Sequence, residues 1–272
     1  MSTDSQIVFY DIASNAPLRT FAPNPFKTRY ALNFKKVAYR THAIDMPDIA
    51  EARLKLNAPA NRTLPDGSAY HTLPLIHDQF TGSVIGDSFE IALYLDKTYP
   101  DGPQLFRPGT VGLTAALNSR VDGLFTKYVA LSDSMPFPPE SKDRINKIFA
   151  ARFGLKDLDS MKMSASAREA MFVEFEHALG EFAKAYRHVG GTTDYVWRPS
   201  GTAAEQAQNQ GREEVGPWLD GDGPAYADFI VGAWLGHMAE SMPKEDLARV
   251  RSWHGGLWAR IHDALEPWRE MR

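Results

Sequence analysis

Cysteine is absent from the 272 residues of this chain. Its absence excludes disulfides, cysteine-ligated zinc, iron–sulfur clusters and every mechanism in which a protein thiol is the nucleophile. Sulfur chemistry would therefore need a thiol supplied by a ligand. The chain also lacks any run of about 18 apolar residues, and its first residues show no basic segment followed by an apolar one. We expect a soluble, cytoplasmic protein that does not associate with membranes.

An excess of charge of one sign is missing as well. The net charge is −4 and the isoelectric point is about 6.1, which argues against non-specific binding to nucleic acid. The sequence contains no glycine-rich phosphate loop, and its eight histidines include no H-E-x-x-H pair. We therefore predict neither a nucleotide cofactor nor a metal site.

The first hundred residues alternate between strand-like and helix-like patterns. Short β-rich runs occupy residues 6–10 and 38–44, and apolar residues at helical spacing follow each run. Asn24 and Pro25 are typical of an N-cap and a first helical residue. The predicted elements are strand 6–10, helix 26–36, strand 38–44, helix 48–56, hairpin strands 72–77 and 83–85, and a helix that Asp87 and Ser88 open and that ends at Thr98.

Beyond residue 98 the pattern changes. Residues 99–109 are rich in proline and glycine, which predicts a linker between a domain at 1–98 and a domain at 110–272. The second domain is predicted to be helical because apolar residues recur at helical spacing in 117–128, 171–186, 230–238 and 250–268. A Gly-, Thr- and Gln-rich stretch at 190–223 is predicted to be a long surface excursion.

The order β-α-β-α-β-β-α, with Leu73-Pro74 entering the third strand and Asp87-Ser88 opening the next helix, resembles the thioredoxin-like half of cytosolic glutathione transferases. The helical remainder resembles their other half. Residues 22–35 and 72–78 are similar to the fungal etherase-related (FuA) class. This resemblance implies an α/β thioredoxin-like N-terminal domain, an all-α C-terminal domain, glutathione as co-substrate or ligand, and a homodimer.

The resemblance also implies roles for four residues. Leu73, before a cis Pro74, would offer its backbone to the cysteinyl part of glutathione. Ser88 and the N–H groups at its helix start would bind the γ-glutamyl carboxylate, and Asp87 would hold the ammonium. The structural alternatives are a trans proline at a strand entry and simple capping of the helix by Asp87 and Ser88.

Ala22 departs from the family pattern. Related proteins commonly have serine there, whose hydroxyl stabilises the glutathione thiolate, and alanine has no such donor. Because a free thiol has a pKa near ~8.5, little thiolate forms at neutral pH without stabilisation. The Asn24 amide is the candidate catalytic replacement, and a pure helix cap is its alternative role. Whether the protein is an enzyme is left open by Ala22.

Two cationic residues are further candidates for binding glutathione. Lys27, one turn into the first helix, either projects into solvent, which we favour, or approaches the glycyl carboxylate or the thiolate. Arg120 interrupts an apolar helical face and either enters the cleft between the domains, where it would meet glutathione or an acidic substrate, or forms an ion pair with Asp122, Asp87 or another carboxylate. The ion pair is the favoured alternative for Arg120.

Aromatic side chains predict a hydrophobic acceptor pocket between the domains, which suits flat aromatic molecules. Most aromatic residues on a helical stripe belong to the core, so we expect only some of them to contact a ligand. The candidates are Phe21, Phe26, Phe125, Tyr128 and Phe137, with Trp234 and Met238 as further possibilities.

The resulting hypothesis is a glutathione transferase-like detoxification protein that conjugates an aromatic co-substrate or reduces peroxides slowly. The first alternative is a ligandin, a non-catalytic carrier of aromatic molecules that retains the glutathione site. The second is a docking module that uses the 190–223 excursion.

Overall fold

The computed structural model describes residues 7–64, 66–132, 135–153, 163–188, 217–219, 221 and 223–272. The strands in this part of the chain are β1 (Ile7–Ile12), β2 (Tyr39–Ile44), β3 (Arg62–Thr63), β4 (Ala69–Tyr70), β5 (Leu75–Asp78) and β6 (Ser83–Gly86). Its α-helices are α1 (Pro23–Phe34), α2 (Ile49–Lys55), α3 (Ser88–Thr98), α4 (Val111–Lys127), α5 (Lys142–Phe153), α6 (Ala165–Ala183), α7 (Tyr226–Ser241) and α8 (Lys244–Ala264).

Four of the strands form one mixed sheet in the order β2-β1-β5-β6. Strands β1 and β2 are parallel and are joined through α1, whereas β5 is antiparallel to both β1 and β6. In this register Tyr10 pairs with Leu75, and Leu75 pairs with Gly86. One edge of the sheet therefore carries the end of β1, the start of β5 and the end of β6. The predicted fold class, a thioredoxin-like domain followed by helices, is confirmed.

Helix α1 begins earlier than predicted. Ala22 is its N-cap, with extended backbone angles and no capping side chain, and Pro23 is its first residue. The prediction that Asn24 is the N-cap was wrong, because both Pro23 and Pro25 fit in the first turn. The N–H groups of that turn have no partner within a helix, so a proline loses nothing there.

The sequence pattern also missed three elements. Strands β3 and β4 form a separate two-stranded hairpin of two residues each, which is too short for any alternation to be visible. Helix α5, with the sequence KDRINKIFAARF, begins with a predominantly polar half, KDRINK, and was not predicted. The helices predicted around 117–128, 171–186, 230–238 and 250–268 correspond to α4, α6, α7 and α8, with residues 184–188 and 266–268 in 3₁₀ turns.

Helices α1 and α7 pack against each other at the centre of the molecule. Phe26 stacks on Tyr30 in α1, and Tyr30 contacts Phe229 in α7. Gly236 lets α7 approach the Phe26 ring so closely that an added Cβ would lie 3.1 Å from a ring carbon. Burial of these aromatic rings helps to join the sheet-containing part to the helical part.

A buried ion pair joins α1 to β1. The Arg29 guanidinium is 3.0 Å from an Asp11 carboxylate oxygen, and both side chains are almost completely buried. The last residues of the chain pass over this region: Asn33 donates to the carbonyls of Trp268 and Glu270. This C-terminal segment therefore anchors to α1.

Helix α7 begins at Tyr226, and Ala225 is its N-cap. The Asp228 carboxylate accepts hydrogen bonds from the N–H groups of Ala225 and Leu219, at 2.9 and 2.7 Å. Ala225 has no side-chain acceptor, so Asp228 alone satisfies these donors. The predicted excursion at 190–223 lies outside the described residues except for 217–219, 221 and 223. Among the described helices, none is long and apolar enough to span a membrane.

Candidate functional site

The sheet edge described above brings three short segments together. Leu73 and Pro74 immediately precede β5, and Asp87 and Ser88 immediately follow β6. Because Leu75 pairs with Gly86, these two segments are neighbours across the sheet. The third segment, at the start of α1, contains Ala22 and follows the loop from the same end of β1.

Leu73 and Pro74 are joined by a cis peptide bond. The trans alternative is therefore excluded in this structure. The Leu73 side chain is buried, while its backbone N–H and C=O have no hydrogen-bond partner in the described residues. A free donor and a free acceptor on one residue allow an extended peptide to pair with it as a further strand would.

Arg53, which the sequence analysis did not single out, supports this segment from behind. Its guanidinium donates to the carbonyl of Thr72 at 2.7 Å and to that of Pro59. It also fills the space beside Gly86, where an added Cβ would lie 2.6 Å from guanidinium nitrogens. The buried cation therefore links the loop before Leu73 to the end of β6.

Asp87 and Ser88 form the start of α3. Asp87 is the N-cap, its φ is 89°, and its carboxylate accepts hydrogen bonds from Phe89 N and Glu90 N. The N–H and the hydroxyl of Ser88 have no partner within the described part of the chain, and its carbonyl accepts from the Tyr226 hydroxyl. The capping role is thus observed for Asp87, while the donors of Ser88 remain available to an anion.

Asn24 lies in the second position of α1 and is half-buried. Its alternative role as a pure helix cap is contradicted, because the helix has already begun at Pro23. Its side-chain amide makes no hydrogen bond to any described residue. The amide is therefore free to donate to a ligand at the helix start.

Lys27 does not project into solvent, so the favoured prediction for it was wrong. Its side chain is fully buried between α1 and α4, and its ammonium lies 2.7 Å from both Asn118 Oδ1 and Asp122 Oδ1. Burial lowers the pKa of Lys27, and the Asp122 carboxylate partly offsets this. The charge of Asp87 raises that pKa, and the charge of Arg62 lowers it. An ammonium has three hydrogens, and two of them have acceptors among the described residues.

Arg120 also differs from its prediction. It is exposed on α4, off the buried face that Val121 and Phe125 form. No ion pair joins it to Asp122 or Asp87 in the structure, and Asp122 binds Lys27 and the Trp234 indole instead. Val121 and Phe125 are buried, as their apolar spacing predicted, but Arg120, which immediately precedes Val121, is not on that buried face.

The predicted acceptor pocket is largely core. Phe26, Phe125 and Tyr128 have exposed fractions of 3 % or less. Phe125 stacks on Trp234, and Tyr128 packs on Phe175. These contacts place the three rings inside the protein instead of at a cavity wall.

The remaining two aromatic candidates lie closer to the start of α1. Phe21 contacts the half-buried Phe137 edge to face, with ring centroids 5.1 Å apart. The Phe21 carbonyl is 2.8 Å from Nδ1 of His237, a buried residue of α7. His237 was not among the predicted site residues because a single histidine within an apolar helix carries no spacing signal.

A second cation, Arg62 in β3, is exposed. Its backbone pairs with Tyr70 in β4, and its side chain has no ion pair or hydrogen bond within the described ranges. Its charge lowers the pKa of Lys27. The sequence analysis missed it because β3 has no recognisable strand pattern.

These features define a class of protein: a thioredoxin-like domain with a cis proline, an acidic N-cap and free helix-start donors, joined to a helical domain. Family models agree with this class. The glutathione S-transferase N-terminal domain matches residues 21–98, and the glutathione S-transferase C-terminal domain matches residues 115–268. The chain belongs to the glutathione S-transferase family.

The chain is similar to several glutathione transferases from fungi. A glutathione S-transferase of Ceriporiopsis subvermispora, crystallised in complex with glutathione, is 29% identical with a TM-score of 0.80, and the match covers 98% of each chain. Glutathione transferase GSTFuA3 of Phanerochaete chrysosporium is 27% identical with a TM-score of 0.73, also over 98% of each chain. The glutathione S-transferase-like protein ustS of Aspergillus flavus is 27% identical over 85% of this chain and 80% of its own length.

Proposed function

We propose that this protein binds glutathione at the sheet edge between Leu73, Ser88 and the start of α1, and transfers it to a hydrophobic aromatic electrophile. The observation that carries the proposal is a set of polar groups that have no partner in the described part of the chain. These are the backbone of Leu73, the N–H and hydroxyl of Ser88, and the amide of Asn24. The cis peptide bond between Leu73 and Pro74 supports the same assignment.

The γ-glutamyl end of glutathione binds at the start of α3. Its carboxylate accepts hydrogen bonds from Ser88, at the positive end of the helix dipole. Its ammonium pairs with Asp87, whose second carboxylate oxygen is not used in capping. The Arg53 guanidinium contacts the loop before Leu73 and the end of β6. It therefore keeps Leu73 and the start of α3 at a fixed spacing.

The glycyl carboxylate at the other end of glutathione needs a cation. Lys27 has one ammonium hydrogen without an acceptor among the described residues, and the side chain of Arg62 has no partner there. We assign this carboxylate to Arg62, with Lys27 contributing its positive charge from within the protein. Arg120 is solvent-exposed and acts on the ligand only through its long-range charge.

The cysteinyl sulfur lies at the start of α1, where Asn24 donates its amide hydrogen to the thiolate. Loss of the thiol proton to water produces the nucleophile, and the hydrogen bond lowers the pKa of the thiol. The thiolate then forms a carbon–sulfur bond with an activated aromatic carbon, and the leaving group departs as an anion. A carboxamide donor is weaker than a charged one, so we expect slow conjugation.

A titration of bound glutathione tests this proposal. The ultraviolet absorbance of the thiolate is followed against pH with wild-type protein and with Asn24→Ala. A thiol pKa at least about one unit below its free value of ~8.5, raised again in N24A, supports the transferase. Asn118→Ala is the matched control, since that amide binds Lys27 and not the sulfur.

The second candidate function is that of a ligandin, favoured by the missing hydroxyl at Ala22. A carrier would bind glutathione and aromatic molecules without lowering the thiol pKa. Binding with an unshifted pKa would therefore support the carrier, and no binding of glutathione would contradict both functions. A homodimer and a cytoplasmic location, both implied by the resemblance and composition, remain part of the proposal and are tested by sedimentation and by fluorescence microscopy of the tagged protein.

A further inference from the structure

A histidine of the helical domain contacts the start of α1 directly. His237 in α7 is 2 % exposed, and its Nδ1 lies 2.8 Å from the Phe21 carbonyl oxygen. A carbonyl oxygen only accepts hydrogen bonds, so Nδ1 must carry the hydrogen. Burial lowers the pKa of His237, which keeps the ring neutral near pH 7. The Nε2 atom is then a bare acceptor, and it has no partner.

This hydrogen bond determines the orientation of the next peptide group. The Phe21–Ala22 peptide bond is trans, since the cis bonds of the described chain are at Pro17 and Pro74. In a planar trans peptide the C=O and N–H point in opposite directions. With the Phe21 carbonyl directed at α7, the Ala22 N–H is directed away from α7. That N–H has no partner in the described residues.

Few backbone donors exist at this helix start. Pro23 and Pro25 have no N–H, so Ala22 and Asn24 supply the backbone donors before Phe26, whose N–H is used within the helix. If the Phe21–Ala22 peptide rotated, a carbonyl oxygen would replace the Ala22 N–H. A carbonyl carries a partial negative charge and would repel a thiolate. The peptide orientation therefore decides whether this position attracts or repels the sulfur.

We propose that His237 is a positioning residue, which holds the Phe21–Ala22 peptide so that the Ala22 N–H donates to the glutathione thiolate. The inference rests on the proposed function and extends it across the domain interface. In this arrangement a backbone N–H, held by the helical domain, supplies at position 22 the donor that the alanine side chain lacks.

A role of His237 in packing alone predicts a different effect of its substitution. A buried neutral histidine with an unpaired Nε2 is a poor way to fill apolar space, because the unpaired nitrogen loses its hydrogen bonds to water. Leucine at this position has no polar atom to satisfy. His237→Leu removes that unpaired nitrogen but leaves the buried Phe21 carbonyl without its donor, so we expect the variant to fold with a moderate loss of stability.

The experiment compares wild type, His237→Leu and His237→Asn. Asparagine places its amide nitrogen close to the position of imidazole Nδ1, so it retains the donor. In H237L we expect the thiol pKa of bound glutathione to rise by about one unit, and kcat/KM near pH 6.5 to fall about tenfold. The dissociation constant of glutathione at low pH, where the thiol is protonated, should change less than about twofold. H237N should restore most of the lowered pKa.

Three results would overturn the inference. The first is a thiol pKa in H237L equal to that of a wild type that does lower it, which leaves the proposed function standing. The second is a wild type that binds glutathione without lowering its thiol pKa, which removes the transferase as well. The third comes from wild-type protein labelled with nitrogen-15: an Ala22 amide signal that does not move as bound glutathione ionises. This last measurement does not depend on whether any variant folds.

Discussion

At the scale of single residues, Asp87 combines an observed structural role with the ligand-binding role that we propose for it. Asp87 caps α3 with one carboxylate oxygen and adopts a φ of 89°, a region in which aspartate and asparagine are tolerated better than most residues. The same carboxylate supplies negative charge beside the free donors of Ser88. A single substitution therefore mixes two effects unless a variant separates them.

Asp87→Asn and Asp87→Ala separate capping from charge. Asparagine keeps the capping oxygen and tolerates the positive φ, so D87N should lose less than about 0.5 kcal/mol of unfolding free energy. D87A should lose about 1–2 kcal/mol. Both should weaken glutathione binding about tenfold or more, because the ammonium loses its carboxylate. Urea denaturation and calorimetric titration measure the two quantities; tight binding by D87N would disprove the charge role.

The buried Lys27–Asp122 pair predicts an asymmetry between its two members. Asp122→Ala leaves a fully buried ammonium without its counter-charge and should cost about 3–5 kcal/mol of unfolding free energy. Lys27→Met keeps the apolar stem and leaves only a partly exposed carboxylate that still accepts from Trp234, so it should cost clearly less. Urea denaturation of both variants checks this. Equal losses would contradict the account of Lys27 as a desolvated cation.

At the scale of elements, α1 and α7 determine the relation between the two halves of the molecule. Helix α1 carries the candidate catalytic amide of Asn24 at its start, and further along it packs Phe26 and Tyr30 against α7. Helix α7 in turn carries His237, which contacts the residue before that start. The packing of two helices therefore aligns the site.

Glycine-to-alanine substitutions test this packing. Gly236→Ala should destabilise the protein by about 1–3 kcal/mol, because its Cβ would lie 3.1–3.3 Å from the Phe26 ring. That ring is stacked on Tyr30 and cannot move easily. Gly123→Ala in α4 is the matched control: no atom lies within 4 Å of its added Cβ. It should stabilise by about 0.5–1 kcal/mol through helix propensity alone. Thermal unfolding measures the stability of both variants. A G236A variant more stable than wild type would contradict the close approach of α7 to the Phe26 ring.

At the scale of the whole molecule, buried histidines determine part of the dependence of stability on pH. Besides His237, burial is the largest cause of a lowered pKa for His254 and His262 in α8. All three histidines are therefore protonated more readily in the unfolded chain than in the folded protein. Their effect on stability is collective.

This predicts a loss of stability on mild acidification. Well above pH 6.5, the ordinary pKa of histidine, the three histidines are neutral in both states, and stability does not depend on them. As the pH falls below 6.5, the unfolded chain binds protons that the folded protein does not, so the unfolding free energy falls. Each proton contributes up to about 1.4 kcal/mol per pH unit. Urea denaturation at several pH values measures how steeply the unfolding free energy changes with pH.

His262→Asn provides the control for this slope. The variant removes one titrating group and should show a shallower decline between pH about 5 and 6.5. The carboxyls of Asp78 and Asp263, whose pKa values are lowered, affect stability only below about pH 4, as they become protonated. A decline that begins only at that lower pH would show that the buried histidines do not contribute.

The sequence by itself determined the order of most elements and predicted which positions carry the chemistry. Alternation with period 2 and apolar spacing at 3.6 residues are local signals, and they located most helices and strands. Leu73-Pro74 and Asp87-Ser88 were recognisable because proline and helix-start residues restrict the backbone locally. The absence of cysteine already required that any reacting sulfur come from a ligand.

Only the tertiary structure determined which charged and aromatic side chains are buried and which partners they contact. Lys27 is buried because α4 supplies Asn118 and Asp122, which lie about ninety residues away in sequence. Phe26, Phe125 and Tyr128 became core because other helices cover them, while Arg120 fell just outside its helical stripe. His237 meets the Phe21 carbonyl across 216 positions of the chain. Burial and hydrogen bonding depend on partners that arrive only when the helices pack, and no local pattern contains that information.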